Sequence, residues 1–200
     1  MRFPILILTW LVPSLLGAQA APGTFTLRPG DRIELRGLRD STLRGWFAVD
    51  ESAHVVLPLI GRRAVGHAPW TALHDSLNRE LLGQLADSGL TIVPYRRVYV
   101  LGFVQEPGLH YVDPTTPLLG AVALAGGASP EGSLENIRVV RDGRVLFASV
   151  SAGDPRILAD AQSGDQIYLE RRGWFDRNAS FFVSGLVGLA GIVVTLIVAR

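Results

Sequence analysis

From Ala179 to Ala199 the chain carries no charge, and only Arg200 follows. A bilayer-spanning helix needs roughly 20 predominantly apolar residues, and this run is long enough. A buried core helix is the alternative, but with no polar face it would have to be wrapped on all sides by a small domain. The sequence therefore predicts a transmembrane helix over 179–199 with the folded part ahead of it. Within that span Ser184, Gly188, Gly191 and Thr195 recur at steps of four, three and four, which places them on one helix face. Small residues in such a stripe permit close helix–helix approach in lipid, where leucine gains nothing from a protein neighbour; glycine and serine are also simply common in membrane helices.

The other end carries a second apolar run. Met1-Arg2 precede a mostly apolar stretch from Phe3 to Leu16, and Gly17-Ala18-Gln19-Ala20 follow. One positive charge, a short apolar core and small residues at Ala18 and Ala20 predict a signal peptide over 1–20, cleaved after Ala20. A short membrane anchor is the alternative, opposed by Pro4 and Pro13. The chain contains no cysteine. That excludes disulfides, thiolate metal sites, a thiol nucleophile and an N-terminal lipidated cysteine, so the mature chain is expected to start unlipidated at Ala21.

Net charge is +1 over the whole chain, and all 19 basic residues are arginine. Without Arg2 the arginines equal the 18 acids, so nucleic acid is not an expected partner; such binding needs a concentrated positive field.

Between the two ends the pattern reads as α+β, with two small α/β units. Pro29-Gly30-Asp31 is a turn, followed by Arg32-Ile33-Glu34-Leu35 in strand alternation. Trp46–Val49 and His54–Leu57, with Asp50-Glu51-Ser52 between them, predict a hairpin that Pro58 ends. Past Gly61 and Gly66, Pro69 sits where a first helical turn tolerates it. Trp70, Leu73, Leu77 and Leu81 then recur at helical spacing up to Leu85. A second unit begins near Arg96, with a strand over 98–104, a turn at Pro107-Gly108 and a returning strand over 109–112. Thr116 is a candidate N-cap for a helix over 117–125, with Leu119 and Val122 inward and Gly126 closing it. Asp142-Gly143 between two apolar runs is the clearest hairpin signal, and a last strand covers 166–169.

One internal echo stands out. Gly30-Asp31-Arg32-Ile33-Glu34-Leu35 and Gly164-Asp165-Gln166-Ile167-Tyr168-Leu169 share the pattern Gly-Asp-x-Ile-x-Leu. It predicts a tight glycine turn, an aspartate bonded to nearby amides and a strand with one buried face.

Catalytic patterns are weak. His54, His67, His74 and His110 are scattered, no His-Glu-x-x-His or Gly-x-Ser-x-Gly occurs, and Ala125-Gly126-Gly127-Ala128 lacks a phosphate loop's lysine. The acids are spread through turns and strand faces, so no paired-carboxylate site stands out. No catalytic residue, metal or cofactor is assigned. Arg96-Arg97 and Arg171-Arg172 could meet anionic sugars or lipid headgroups, but solvated charge beside a strand or membrane segment is the simpler reading.

Taken in order, these motifs resemble a known family. Leu27-Arg28-Pro29-Gly30-Asp31, Val56-Leu57-Pro58-Leu59-Ile60-Gly61 and Gly66 ahead of a helix resemble the polysaccharide biosynthesis/export domain, here 24–95. Val98 to Gly108 with Gly102, Pro107 and Gly108, then Leu124-Ala125-Gly126-Gly127 and Gly164-Asp165, resemble an SLBB (soluble ligand-binding β-grasp) domain, here 96–171. The resemblance implies a non-enzymatic subunit of a ring-shaped homo-oligomer in the outer membrane or periplasm, through which capsular or exopolysaccharide leaves. Its implied partners are copies of itself, the extracellular polysaccharide, membrane lipid, and an inner-membrane polymerase, chain-length regulator or tyrosine-kinase-type protein.

Three features depart from the family. There is no lipidated cysteine, only one SLBB-like unit is present, and the terminal helix is more uniformly apolar than an amphipathic barrel helix. A periplasmic binding module tethered to membrane, without a pore, is the alternative function, and a polysaccharide-modifying enzyme is a weaker one. The expected location is the cell envelope, facing the periplasm. Arg171, Arg172 and Arg177 lie on the near side of the helix and only Arg200 on the far side, which favours the outer membrane over the inner.

Overall fold

The computed structural model describes residues 25–37, 43–84 and 89–173. The leader with its cleavage site at Ala20, and the 179–199 span with Ser184, Gly188, Gly191 and Thr195, lie outside the described residues. Among the described residues no helix is long and apolar enough to cross a membrane. They form a mixed α and β structure in which strands predominate.

Strands β1 (Arg32–Gly37), β2 (Gly45–Ala48), β3 (His54–Leu57) and β4 (Gly61–Ala64) precede helix α1 (Trp70–Gln84). Strand β5 (Leu90–Gly102) and β6 (Gly108–Val112) then lead to helix α2 (Leu118–Leu124). After it come β7 (Gly132–Arg141), β8 (Arg144–Val150), a 3₁₀ turn at Pro155–Leu158 and β9 (Gln166–Arg171). Seven strands make one sheet in the order β2-β1-β5-β9-β7-β8, with β6 also paired to β5; β3 and β4 form a separate pair.

Strand β5 organises the molecule. Its burial alternates without interruption, with Ile92, Pro94, Arg96, Val98 and Val100 facing inward. Ile92 belongs to a core with Leu27, Ile33, Leu35, Val55, Leu57 and α1, whereas Val98 and Val100 belong to a second core with α2, β7 and β9. One strand therefore serves both cores, and the unit boundary expected between 95 and 96 falls inside it. On the edge of β5 the N–H of Arg97 donates to Asp31 and its carbonyl accepts from the N–H of Gly164. In a strand these two groups of one residue point to the same edge. Hence β1, antiparallel, and β9, parallel, lie end to end along one edge of β5.

Helix α1 buries Leu73, Leu77 and Leu81, the spacing read from the sequence. Full burial of Leu77 and Leu81 contributes about 1.5–3 kcal/mol each. The Asp142-Gly143 turn has φ of 50° and 73°, the pair of positive angles a two-residue type I′ hairpin requires.

Four expectations need correction. The 46–49 and 54–57 segments are not paired as a hairpin: β2 pairs with β1 and β3 with β4. Asp50 Oδ1 accepts the N–H groups of Ser52 (2.9 Å) and His54 (2.8 Å), and Ala53 turns at φ 57°, which directs β3 away from β2. The strand β4 was not foreseen, because Arg62 and Arg63 break any apolar alternation. Thr116 does not cap α2; Pro117 holds the N-cap position and the N–H of Leu118 is satisfied by the carbonyl of Ala159 at 2.9 Å. On α2, Leu118, Ala121 and Val122 are buried, whereas Leu119 is only partly so. Finally β5 ends at Gly102 rather than Val104, since Gly102 has φ 83°.

Candidate functional site at two facing Gly-Asp turns

The two copies of the echo meet. Gly30 and Gly164 both take φ 88°, in the left-handed region, and Asp31 and Asp165 are both fully buried. Each aspartate N–H bonds a carbonyl three residues back, at 3.0 Å, to Arg28 and Gln162 respectively. Each carboxylate Oδ2 accepts the N–H of the same residue, at 2.8 Å. These reciprocal bonds fix two identical turns, from which β1 and β9 leave in opposite directions.

The turns are also joined to each other. The Ser163 hydroxyl donates to Asp31 Oδ2 at 2.6 Å, and Asp31 Oδ1 accepts the Arg97 N–H at 3.0 Å. Arg28 Nη1 reaches Asp142 Oδ1 at 2.6 Å, tying the first turn to the tip of the β7–β8 hairpin. The two carboxylates are neutralised differently. Arg141 grips Asp165 through Nε at 2.8 Å and Nη2 at 2.7 Å, a bidentate ion pair. Asp31 has hydrogen bonds and the nearby Arg97 guanidinium but no such clamp. Burial consequently dominates and holds its carboxyl above the usual range, although the Ser163 hydroxyl, the amides of Arg28 and Arg97 and the Arg97 charge oppose this.

Arg96 corrects the reading of solvated charge. Only 8% exposed, it donates from Nη1 to the carbonyls of Ala161 (2.6 Å) and Pro114 (3.1 Å), and its guanidinium lies 4.4 Å over the Phe25 ring. Burial lowers its pKa, with Asp160 and Asp31 acting against that. Arg171 is exposed and pairs with Glu131 at 2.8 Å. A cleft of about 210 Å³ between the turns is lined by Phe25, Thr26, Arg28, Arg96, Gln162 and Ser163. Arg28, Arg96 and Ser163 are already engaged with protein partners. The arrangement couples two halves of a fold; it offers no nucleophile–base pair.

The other motif residues are dispersed and structural. Pro58 and Gly61 make the β3–β4 turn, and Gly66 packs against Ala53 ahead of α1. Gly102 lies against the carbonyl of Leu169, where a Cβ would collide. Pro107 and Gly108 open β6. Gly126 and Gly127 end α2 at φ 78° and 77°, their N–H groups bonded to the carbonyls of Ala123 and Val122 at 3.0 Å. Pro29 lies inside the first Gly-Asp turn, between Arg28 and Gly30. Sequence reasoning missed Arg28, Arg141 and Ser163 as members of the cluster; the echo itself, with Ser163 beside the second turn, was the available signal. Among the described residues no group of three or more His, Asp or Glu could hold a metal ion.

Residues 97–157 match the SLBB domain model. This part of the chain is similar to an SLBB domain. The match begins inside β5 and ends before β9, so the strand bearing the second Gly-Asp turn lies beyond it. Over 127 residues the chain is 32% identical to the polysialic acid transport protein KpsD of Escherichia coli, in two curated sequences. That segment is 60% of this chain and 23% of KpsD, so the chain spans about a quarter of its relatives' length. Domain and relative together support the polysaccharide export family with an SLBB domain, as the motif series implied. The relative is a transport protein by name, and no catalytic residue is assigned in this chain.

Proposed function

We propose that this protein is a subunit of an oligomeric envelope translocon that exports capsular or exopolysaccharide. The observation that carries the reading is the 32% identity over 127 residues to a polysialic acid transport protein, alongside the SLBB match at residues 97–157. In this reading residues 1–20 are removed after Ala20, residues 24–95 form the export domain and 96–171 the SLBB domain. The helix over 179–199 anchors the periplasm-facing part, in the outer membrane rather than the inner. Copies of the chain associate as a ring, helped by the stripe Ser184, Gly188, Gly191 and Thr195, and the ring meets lipid, the polymer and an inner-membrane regulator or tyrosine-kinase-type partner.

Deletion of the gene in the producing organism tests the central point. Polysaccharide should accumulate inside the cell and vanish from the surface, and a plasmid copy should restore it. Undiminished surface polysaccharide in the deletion strain would sink the export reading. Crosslinking in native membranes tests the ring separately, and Gly188→Leu should weaken the crosslinked species more than Leu189→Ala.

A further inference from the structure

The face of the large sheet turned away from both cores has an uncommon population. Cross-strand partners share a face, so the pairs Glu34–Trp46, Arg32–Tyr95, Arg97–Tyr111 and Leu101–Tyr168 mark one continuous surface. Alternation along β5 places Tyr99 on it as well. All four tyrosines of the chain therefore lie on this face, together with Trp46. None of the four tyrosines belongs to either core.

An exposed antiparallel face ordinarily carries polar residues, and leaving aromatic rings in water forgoes their burial. Trp46 is 48% exposed and leans on Tyr95, with ring centroids 4.6 Å apart. Arginines interleave with the rings. The Arg32 guanidinium is 3.8 Å from the centre of the Tyr111 ring, and that of Arg138 is 4.8 Å from Tyr168. Neither arginine has a carboxylate partner among the described residues. Glu34 on the same face is committed to Arg36, at 2.8 and 2.7 Å, and to the Tyr95 hydroxyl at 3.1 Å.

This combination selects a ligand chemistry. Flat rings offer stacking surfaces for the C–H faces of sugars, and guanidinium forks held over tyrosine rings present paired donors to anionic groups. Tyr95 and Tyr99 are four residues apart on one strand, about 13 Å, which suits an extended polymer better than a single sugar. We propose that this sheet face binds an acidic polysaccharide, with Trp46 and the tyrosines stacking on its rings and Arg32 and Arg138 meeting its anionic groups. The identity of the polymer as cargo rests on the export reading; the binding itself does not.

The test uses the full chain in detergent and oligosaccharides of alginate, which is carboxylated, and of dextran, which is neutral. Alginate should bind and dextran should bind at least about tenfold more weakly, and Trp46→Ala and Arg32→Gln should each weaken alginate binding about tenfold. Arg138→Gln, at an exposed position, gives a second arginine variant should Arg32→Gln misfold. Val56→Ala, exposed on the separate β3–β4 pair, should leave binding unchanged. Equal binding of dextran and alginate, or alginate binding indifferent to both Trp46 and the arginines, overturns the proposal. So does dissociation of the oligomer by Trp46→Ala in sedimentation, which would make the face a contact between copies. If deletion of the gene abolishes export while face variants bind and export normally, only this proposal fails. If face variants lose alginate but deletion leaves export intact, only the export reading fails.

Discussion

Removal of the Asp31 carboxylate is the sharpest perturbation the structure suggests. Asp31→Ala deletes acceptors for the Arg28 N–H (2.8 Å), the Arg97 N–H (3.0 Å) and the Ser163 hydroxyl (2.6 Å) in a site closed to water. A hydrogen bond to a charged group contributes about 1.5–3 kcal/mol net, and buried donors left alone cost about 1–3 kcal/mol each. The three bonds share one acceptor group and burial of that group opposes them, so the sum is less than additive. The expected loss is about 3–5 kcal/mol. Ser163→Ala removes one bond and should cost about 1.5–3 kcal/mol.

The double variant carries the argument. Once Asp31 is alanine the Ser163 hydroxyl has already lost its acceptor, so the second substitution should cost about 1–2 kcal/mol less than it does alone. Denaturant unfolding of the full chain in detergent, followed by tryptophan fluorescence, measures all four corners of the cycle. Costs that add within about 0.5 kcal/mol would refute the claim that the two turns are energetically joined. Two separate transitions in the parent protein would refute it too, because a strand shared by both cores should make them unfold together.

Three further outcomes follow from the same geometry. The raised Asp31 carboxyl binds its proton more tightly folded than unfolded. Its contribution is thus full below the unfolded value of about 3.9 and lost as pH rises through the folded one, so the stability gap between parent and Asp31→Ala should narrow with rising pH. Unfolding curves across the acid range check this. Arg141→Met leaves buried Asp165 without its bidentate partner and should destabilise by about 3–5 kcal/mol, whereas Arg62→Met, which breaks an exposed pair with Asp50, should have little effect on the thermal midpoint. Gly102→Ala should be far more damaging than Gly127→Ala: both have positive φ, but only at Gly102 would the new Cβ strike backbone, the Leu169 carbonyl. Soluble yield and melting temperature of the two variants decide it.

What the sequence made legible was what local rules determine. The spacing of Leu73, Leu77 and Leu81 specified α1, and Asp142-Gly143 specified the β7–β8 turn, because one helix face and one pair of backbone angles suffice. The Gly-Asp echo likewise announced two equivalent turns. Their meeting was not legible, since it depends on Arg97, whose two backbone groups receive one turn each from distant parts of the chain. Strand β4 was missed for a related reason. Its cohesion comes from β3 and from ion pairs of Arg62 with Asp50 and Arg63 with Glu80, none of them local in pattern. Arg96 misled because a charge next to another charge reads as solvated, yet β5 alternation forces every second side chain inward, and carbonyls of Pro114 and Ala161 were waiting there.

The polar joint has a meaning beyond its stability. An apolar contact between two units tolerates sliding, because hydrophobic burial is non-directional. A buried carboxylate held by two amides and a hydroxyl tolerates none, since any shift strands a donor without water. Here that joint sits where β1 and β9 part along β5, so the angle between the two cores is set by hydrogen-bond geometry as well as by a continuous strand. In the ring proposed above, a fixed angle between the two halves of a subunit would be the property on which closure depends. Asp31→Ala should then disturb assembly beyond what lost stability explains. At a temperature where the variant is still fully folded, crosslinked species in native membranes should broaden in size. An unchanged distribution there would confine the role of the joint to folding.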